Sequence, residues 1–195
     1  MTRHISFFLT TLLMLCAPTA RAQAVDWKTI DDWRIAFYPG SQGCQAFRLY
    51  EENTAFFIGF DHTRKTGALD ITILDRRWTA FKTDAEYRIR LQFGTQPAWT
   101  LDMDGVLLNG LPGLHILFGS TGPDADQFIS QFRRERVMKW QHGETRLGRF
   151  PLNGSRKAFD ELRRCQKHYD TTAKRPLRPV ARTAGLGVEQ AAAVD

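Results

Sequence analysis

Four polar residues near predicted strand ends could supply acid–base chemistry: Asp61, His62, Asp102 and Asp104. A carboxylate and an imidazole catalyse proton transfer when both lie within hydrogen-bond reach of a substrate. Asp102 and Asp104 share one strand face by their spacing, whereas a glycosidase needs carboxylates on opposite sides of a cleft. A Ca²⁺ loop would need further acidic ligands. We therefore assign these two aspartates to a strand ending in a turn, and keep a fold-assembled hydrolase site of all four residues as an alternative.

The serines and histidines do not have the spacing of a nucleophile or a metal site. Ser120 lies in Gly119-Ser120-Thr121-Gly122, which is not the G-x-S-x-G pattern of an α/β-hydrolase, and we interpret it as a loop. Ser155 precedes a helical pattern and is predicted to be an N-cap. No catalytic residue, metal or cofactor is predicted. The histidines that follow the N-terminal segment occur singly, without an H-x-x-x-H pair, at His62, His115, His142 and His168.

Basic residues are concentrated in the second half of the chain. Residues 25–130 contain 10 Lys and Arg against 14 Asp and Glu, whereas residues 131–182 contain 15 against 5. Such a region can face an anionic partner, such as lipid headgroups, lipopolysaccharide phosphates or an acidic protein, or it can be a solvated surface. No motif for nucleic-acid binding accompanies it. The candidate contacts to an anionic surface are Arg133, Arg134, Arg136, Arg156, Lys157, Arg163 and Arg164.

The elements that would position these residues are mostly strands. Apolar residues alternate with polar or small ones, a period typical of antiparallel sheet with one solvated face. The polar segment 61–67 has the length of a long hairpin loop. Six strands are predicted around residues 33–37, 44–49, 56–60, 69–73, 87–93 and 99–103.

Two helices interrupt the strands. The first begins at Pro123 with acidic residues in its first turn, and Phe128 and Phe132 lie four apart on one face. The second begins near Ser155, and its inward face carries Ala158, Leu162 and Cys165. The predicted fold is a β-rich α+β class: an antiparallel β-sandwich or partly open barrel with two short helices, the second tied to the sheet by a disulfide.

The N-terminus has the pattern of a secretory signal. A short charged start, Arg3-His4, precedes a mostly apolar run over residues 5–17 and then small residues, and the run is too short to span a bilayer. Cleavage after Ala22 or after Ala24 satisfies the small-x-small rule, and we favour the second. The predicted organisation is a signal peptide over 1–24, one β-rich domain over 25–169 and a disordered tail over 170–195. No later segment is predicted to span a membrane.

Two of the three cysteines lie outside the predicted signal peptide, at Cys44 and Cys165. An even number of cysteines in an exported chain predicts a disulfide, because the compartment is oxidising. The bridge would enclose 120 residues, for which the chain-entropy model gives a stabilisation of about 4 to 5 kcal/mol.

Several short strings in the chain resemble known exported proteins. The segment Leu152-Asn153-Gly154-Ser155, followed by Ala158, Leu162 and Cys165, resembles the closing helix of small exported bacterial proteins of unknown function, and is similar to the end of invasion-associated locus B proteins. The resemblance covers about residues 33–165 and implies a fold and an export route, but no activity. The strings that agree in order are Gly43-Cys44, Phe57-Ile58-Gly59-Phe60-Asp61, Trp78 and a strand from Tyr87.

These observations predict a non-catalytic binding or accessory protein of the bacterial cell envelope, periplasmic or secreted. Its partner would be an unknown protein or an anionic envelope component, and not nucleic acid. One alternative is an inhibitor of a cell-wall hydrolase, since a small rigid β domain can present a loop to an enzyme cleft. The other is the hydrolase site described above.

Overall fold

The computed structural model describes residues 23–50, 54–63 and 67–173 of the 195-residue chain. Almost all of the predicted signal peptide, and residues 174–195 of the predicted tail, lie outside the described residues. The remainder of the chain carries ten strands and two helices. The helices are α1 (Pro123–Arg134) and α2 (Ser155–Ala173). The strands are β1 (Val25–Ile30), β2 (Trp33–Tyr38), β3 (Gly43–Tyr50), β4 (Thr54–Asp61), β5 (Ala68–Asp75), β6 (Glu86–Phe93), β7 (Trp99–Leu108), β8 (Leu111–Gly119), β9 (Val137–His142) and β10 (Thr145–Pro151).

All ten strands are antiparallel and form one sheet in the order β1-β2-β3-β4-β5-β8-β7-β6-β9-β10. This confirms the predicted β-rich α+β class. Burial alternates along β6 and β7 as the sequence predicts, whereas all eight residues of β5 are buried. In β6, for example, Ile89, Leu91 and Phe93 are buried, whereas Arg88 and Arg90 are exposed. Because successive side chains of a strand point to opposite faces, one face of the sheet encloses the core.

The sheet curls until its two halves face each other, but it remains open. Tyr50 of β3 and Phe150 of β10 lie seven places apart in the strand order, yet their ring centroids are 5.0 Å apart. In a flat sheet the two strands would be separated by roughly 33 Å. Phe56 of β4 and Trp140 of β9 approach in the same way, at 6.2 Å. The end strands β1 and β10 do not pair with each other, so the sheet is a partly open barrel.

The two helices bury the faces that the sequence predicts. Phe128 and Phe132 of α1 are fully buried, and acidic residues occupy its first turn, where they favour the positive end of the helix dipole. Ala158, Leu162 and Cys165 of α2 are also fully buried, and α2 packs on β1, β2 and β3. The helix continues to Ala173, four residues into the segment predicted as tail. Neither helix is long and apolar enough to cross a bilayer.

The predicted disulfide is confirmed. Cys44 of β3 and Cys165 of α2 are bonded, with their Cα atoms 6.1 Å apart, within the usual range for a bridge. The neighbouring Gln166 accepts a hydrogen bond from the backbone N–H of Cys44 at 2.7 Å. The bridge and this hydrogen bond together fix α2 against β3.

The role predicted for Ser155 is wrong. It is the first residue of α2, and its buried hydroxyl donates a hydrogen bond to the carbonyl oxygen of Phe132 at 2.8 Å instead of capping its own helix. Phe132 lies in the last turn of α1, where carbonyl groups have no partner within the helix. Ser155 therefore joins the end of α1 to the start of α2.

Glu161 connects α2 to the edge strand β1. Its carboxylate accepts hydrogen bonds from Trp27 Nε1 at 3.0 Å, Lys28 Nζ at 3.3 Å and Arg164 Nη1 at 2.8 Å. The hydrogen bond from Trp27 has the largest effect on the pKa of Glu161. Together with those from Arg164 and Lys28 it outweighs the opposing effect of burial, so the pKa is lowered. Folding therefore favours the ionised carboxylate.

We expect Glu161→Gln to lower the free energy of unfolding at pH 7 and to reduce its dependence on acid. A lowered pKa contributes stability above the unfolded value, about 4.3 for Glu, and this contribution is lost as the pH falls through the folded pKa. Urea denaturation at pH 7 and at pH 3 should show parent and variant converging in acid. Asp104→Asn, at an exposed position, is the control and should follow the parent at both pH values. A constant difference between parent and Glu161→Gln at both pH values would contradict the prediction.

Candidate anion-binding cleft

The four residues considered for acid–base chemistry do not form one site. Asp61 is aligned with Ala68 of β5, which is aligned with Gly119 of β8. Asp104 is aligned with His115, also in β8. Asp61 in β4 and Asp104 in β7 are therefore three strand spacings apart across the sheet and four residues apart along it. This separation corresponds to roughly 15 to 20 Å. The hypothesis of a hydrolase site built from Asp61, His62, Asp102 and Asp104 is wrong, because the sheet separates the two pairs.

Three of these four residues have a local partner instead. His62 Nδ1 lies 3.3 Å from Asp170 Oδ1 and 3.1 Å from Gln166 Nε2, so it joins the end of β4 to α2. Asp61 accepts a hydrogen bond from the backbone N–H of Thr63 at 2.8 Å. Asp102 accepts one from Arg88 at 2.9 Å on the exposed face of β6 and β7. In the part of the chain that the structure describes, no three His, Cys, Asp or Glu side chains gather as metal ligands.

Asp70 is the centre of a polar cluster that the sequence did not reveal. Its carboxylate is almost buried and accepts hydrogen bonds from Gln45 at 2.7 Å and from Thr72 at 3.1 Å. His115 Nε2 lies 3.4 Å from the same carboxylate. These groups come from three strands, β3, β5 and β8, so no spacing along the chain could have identified them. Burying a carboxylate is unfavourable unless it is hydrogen-bonded, and the hydrogen bonds of this cluster compensate for the burial of Asp70.

The seven predicted basic residues divide into two groups. Arg133 donates a hydrogen bond to Asp160 at 2.7 Å and Arg164 donates one to Glu161, so both have carboxylate partners. The other five are exposed on α1, on α2 or on the link between α1 and β9, without an ion pair among the described residues. They are Arg134, Arg136, Arg156, Lys157 and Arg163.

A large cavity lies elsewhere, between β3 and β10, where the curled sheet fails to close. Its volume is about 720 Å³, within the range typical of ligand sites. We call it the arginine cleft. Its lining residues are Asp32, Arg48, Leu49, Tyr50, Arg77, Trp78, Arg146, Leu147, Gly148, Arg149, Phe150 and Pro151.

A β-bulge in β10 places two of these arginines on one face. Arg149 is aligned with Lys139 of β9, and Arg146 is aligned with Gln141, which lies two residues further along β9. The register shifts between Arg146 and Gly148, so three residues of β10 span two of β9. In a regular strand, residues three apart would point to opposite faces. The bulge therefore gives Arg146 and Arg149 a common orientation.

A second cavity continues the positive charge over the outer face of the sheet. It has a volume of about 440 Å³ and shares Arg146, Gly148 and Arg149 with the arginine cleft. Arg90 of β6 and Lys139 of β9 complete its basic lining. Two adjoining cavities with shared arginines make a surface on which an extended anionic ligand could lie.

Arg48 and Tyr50 form the floor of the arginine cleft. Arg48 is 7% exposed, and its guanidinium donates to Asn153 O and to Asp32 Oδ2, each at 2.9 Å. The same guanidinium lies 4.9 Å from the centre of the Tyr50 ring, a cation–π distance. Arg48 Nε and the Tyr50 hydroxyl are buried without a hydrogen-bond partner among the described residues. Burial raises the pKa of Tyr50, so its hydroxyl stays a protonated donor.

The charges of the cleft are only partly balanced. Asp32 pairs with Arg48, and Asp75 pairs with Arg77 at 2.7 Å. Burial alone would raise the pKa of Asp75, but hydrogen bonds from Arg77 and Thr54 outweigh this effect and lower it. Arg146 and Arg149 are exposed and have no carboxylate partner among the described residues. Their guanidinium groups are planar forks that match a carboxylate or a phosphate.

Arg146 and Arg149 were not among the predicted contacts to an anionic surface, although both lie in the basic half of the chain. No protein-family model, curated protein or solved structure matches this chain.

Proposed function

We propose that this protein is a non-catalytic binding protein of the bacterial cell envelope that holds an anionic ligand in the arginine cleft. The observation that carries the proposal is the bulge in β10, which turns Arg146 and Arg149 to one face beside a cavity of about 720 Å³. The buried Arg48 guanidinium adds positive charge beneath the cleft. An anion would supply oxygen acceptors to the exposed guanidinium groups of Arg146 and Arg149.

The cell-envelope location rests on two observations of different kinds. The pattern of the first 24 residues is typical of a secretory signal. The Cys44–Cys165 disulfide suits a compartment in which thiols are oxidised, such as the bacterial periplasm. The resemblance of the closing helix to exported proteins agrees with this location and stays a prediction.

We expect Arg146→Glu combined with Arg149→Glu to weaken the binding of a polyanion at least about tenfold, which corresponds to about 1.4 kcal/mol. A fluorescent polyphosphate chain at low salt is a suitable probe, measured by anisotropy. The parent should lose affinity steeply as salt is raised, and the variant should show a flatter dependence. The melting temperature should barely change, because exposed substitutions cost less than about 0.5 kcal/mol.

The matched control reverses the same number of charges elsewhere. Arg156→Glu combined with Arg163→Glu alters two exposed arginines of α2 that belonged to the predicted anionic-surface contacts. If the arginine cleft is the site, this control should bind polyphosphate with an affinity near that of the parent. Loss of binding in the control but not in the cleft variant would place the site on the helices and overturn the proposal. Equal loss in both variants would indicate binding by net charge alone and would overturn it as well.

A further inference from the structure

We infer that the ligand of the arginine cleft is an extended acidic peptide of a partner protein, which adds a strand to the unpaired edge of β10. The inference rests on the proposed function and names the class of partner that the same cleft fits. It depends on three features: the free edge of β10, the position of the cleft along that edge, and the spacing of the two arginines.

The first feature is the free edge. β10 is the last strand in the sheet order and pairs only with β9. The described residues form no backbone hydrogen bond with its other edge. Alternate N–H and C=O groups of an edge strand point away from the sheet and can pair with another chain. Strand addition to such an edge is a common mode of peptide recognition.

The second feature is the position of the cleft. Its lining includes six consecutive residues of β10, from Arg146 to Pro151. A cavity above one face of a strand is lined by alternate residues, because side chains alternate between the two faces. A cavity lined by every residue must lie along the edge of the strand. A ligand in the arginine cleft would therefore meet the free backbone groups of β10 as well as its arginines.

The third feature is the spacing of the charges. Arg146 and Arg149 are aligned with two residues of β9 that are two positions apart. Their Cα atoms are therefore separated by about 7 Å along the strand, which is the separation of residues i and i+2 in a paired strand. Acidic residues at i and i+2 of a bound peptide would share one face and oppose the two arginines, as favourable cross-strand pairs do.

The opposite wall of the cleft suits the remaining side chains of such a peptide. Tyr50 of β3 and Trp78 line the cleft from the buried face of the sheet, and each residue is 8% exposed. Residues between the two acidic positions point to the other face of the bound strand. Apolar or β-branched side chains there would point to the buried face of the sheet and could contact Tyr50 and Trp78. A phosphate compound would use the arginines but neither the backbone edge nor this apolar wall.

Three blocked nonapeptides of threonine and valine would test the inference by fluorescence anisotropy at low salt. The first carries two glutamates at positions 4 and 6, on one face of a strand. The second carries them at positions 4 and 7, on opposite faces, with the same composition. The third repeats the first but has N-methyl groups on alternate backbone amides, which removes the donors that would pair with β10. We expect the first peptide to bind at least about tenfold more tightly than either of the others.

Hydrogen exchange on the full chain provides a second readout. The first peptide should slow exchange of backbone amides in β10, whereas polyphosphate should not. Equal binding of all three peptides, or no protection of β10, would overturn the inference. If polyphosphate binding were still weakened by the double change Arg146→Glu with Arg149→Glu, the proposed anion site would stand and only the peptide ligand would be excluded. Loss of that dependence would overturn the site itself.

Discussion

Replacing both cysteines, as Cys44→Ser with Cys165→Ser, is expected to lower the free energy of unfolding by about 2 to 5 kcal/mol, the usual effect of removing a native bridge from a small secreted domain. The bridge encloses most of the described chain, with a sequence separation of 121 residues. A long loop loses more entropy when it is closed in the unfolded state, so its closure favours the folded state. α2 would remain held to β3 mainly by packing and by Gln166.

Urea denaturation of the parent and the double variant would measure this loss. Both cysteines are fully buried, so serine also buries two hydroxyl groups, and the double alanine variant separates that cost from the loss of the bridge. Alkylation of the native parent should label neither thiol until the protein is reduced. A double alanine variant as stable as the oxidised parent would contradict the prediction.

Leu162→Ala is expected to cost about 2 to 5 kcal/mol, depending on how far the cavity collapses. Leu162 has no exposed surface and belongs to the hydrophobic core, on the helix face that includes Ala158 and Cys165. Removing its side chain leaves a void between α2 and the sheet that neither a rigid helix nor a bridged strand can easily fill.

The neighbouring arginines provide the control for Leu162→Ala. Arg163 and Arg164 are exposed on the opposite side of α2, and Arg164 also donates to Glu161. Neutralising both should change the free energy of unfolding by less than about 1 kcal/mol, since both arginines are exposed and Glu161 keeps its hydrogen bonds from Trp27 and Lys28. Denaturation of the three proteins under one condition would compare them directly. A loss of similar size in the arginine variant would show that the helix surface, not its buried face, determines stability.

Strands with regular alternation were predictable, and strands without it were not. The alternating pattern located β2 to β7, including Ile89, Leu91 and Phe93 of β6. β1, β8, β9 and β10 were not predicted. β8 begins with Leu111-Pro112-Gly113, and Pro-Gly is typical of a turn. In β10 the bulge at Leu147 interrupts the two-residue alternation between the faces of the strand. The sequence pattern reports which face of a strand is buried, and a bulge or a terminal Pro-Gly obscures that signal.

The disulfide was predictable because only one pairing was open to the two cysteines that follow the predicted signal peptide. The arginine cleft was not, because its walls come from distant parts of the chain. Arg48 lies in the half with excess acidic residues, and about one hundred residues separate it from Arg149. They meet because the sheet curls, and curling depends on packing that no local pattern encodes. Inhibition of a cell-wall hydrolase stays a prediction.

The unpaired edge of β10 also bears on self-association. An exposed edge strand is a template on which a second copy of the same chain could add, and repeated addition leads to aggregates. Two β10 strands paired edge to edge would bring Arg146 and Arg149 of one copy close to the same residues of the other, and like charges opposed across strands are unfavourable. The arginines that suit an acidic strand therefore also keep identical molecules apart, which allows the protein to retain an open edge at high local concentration.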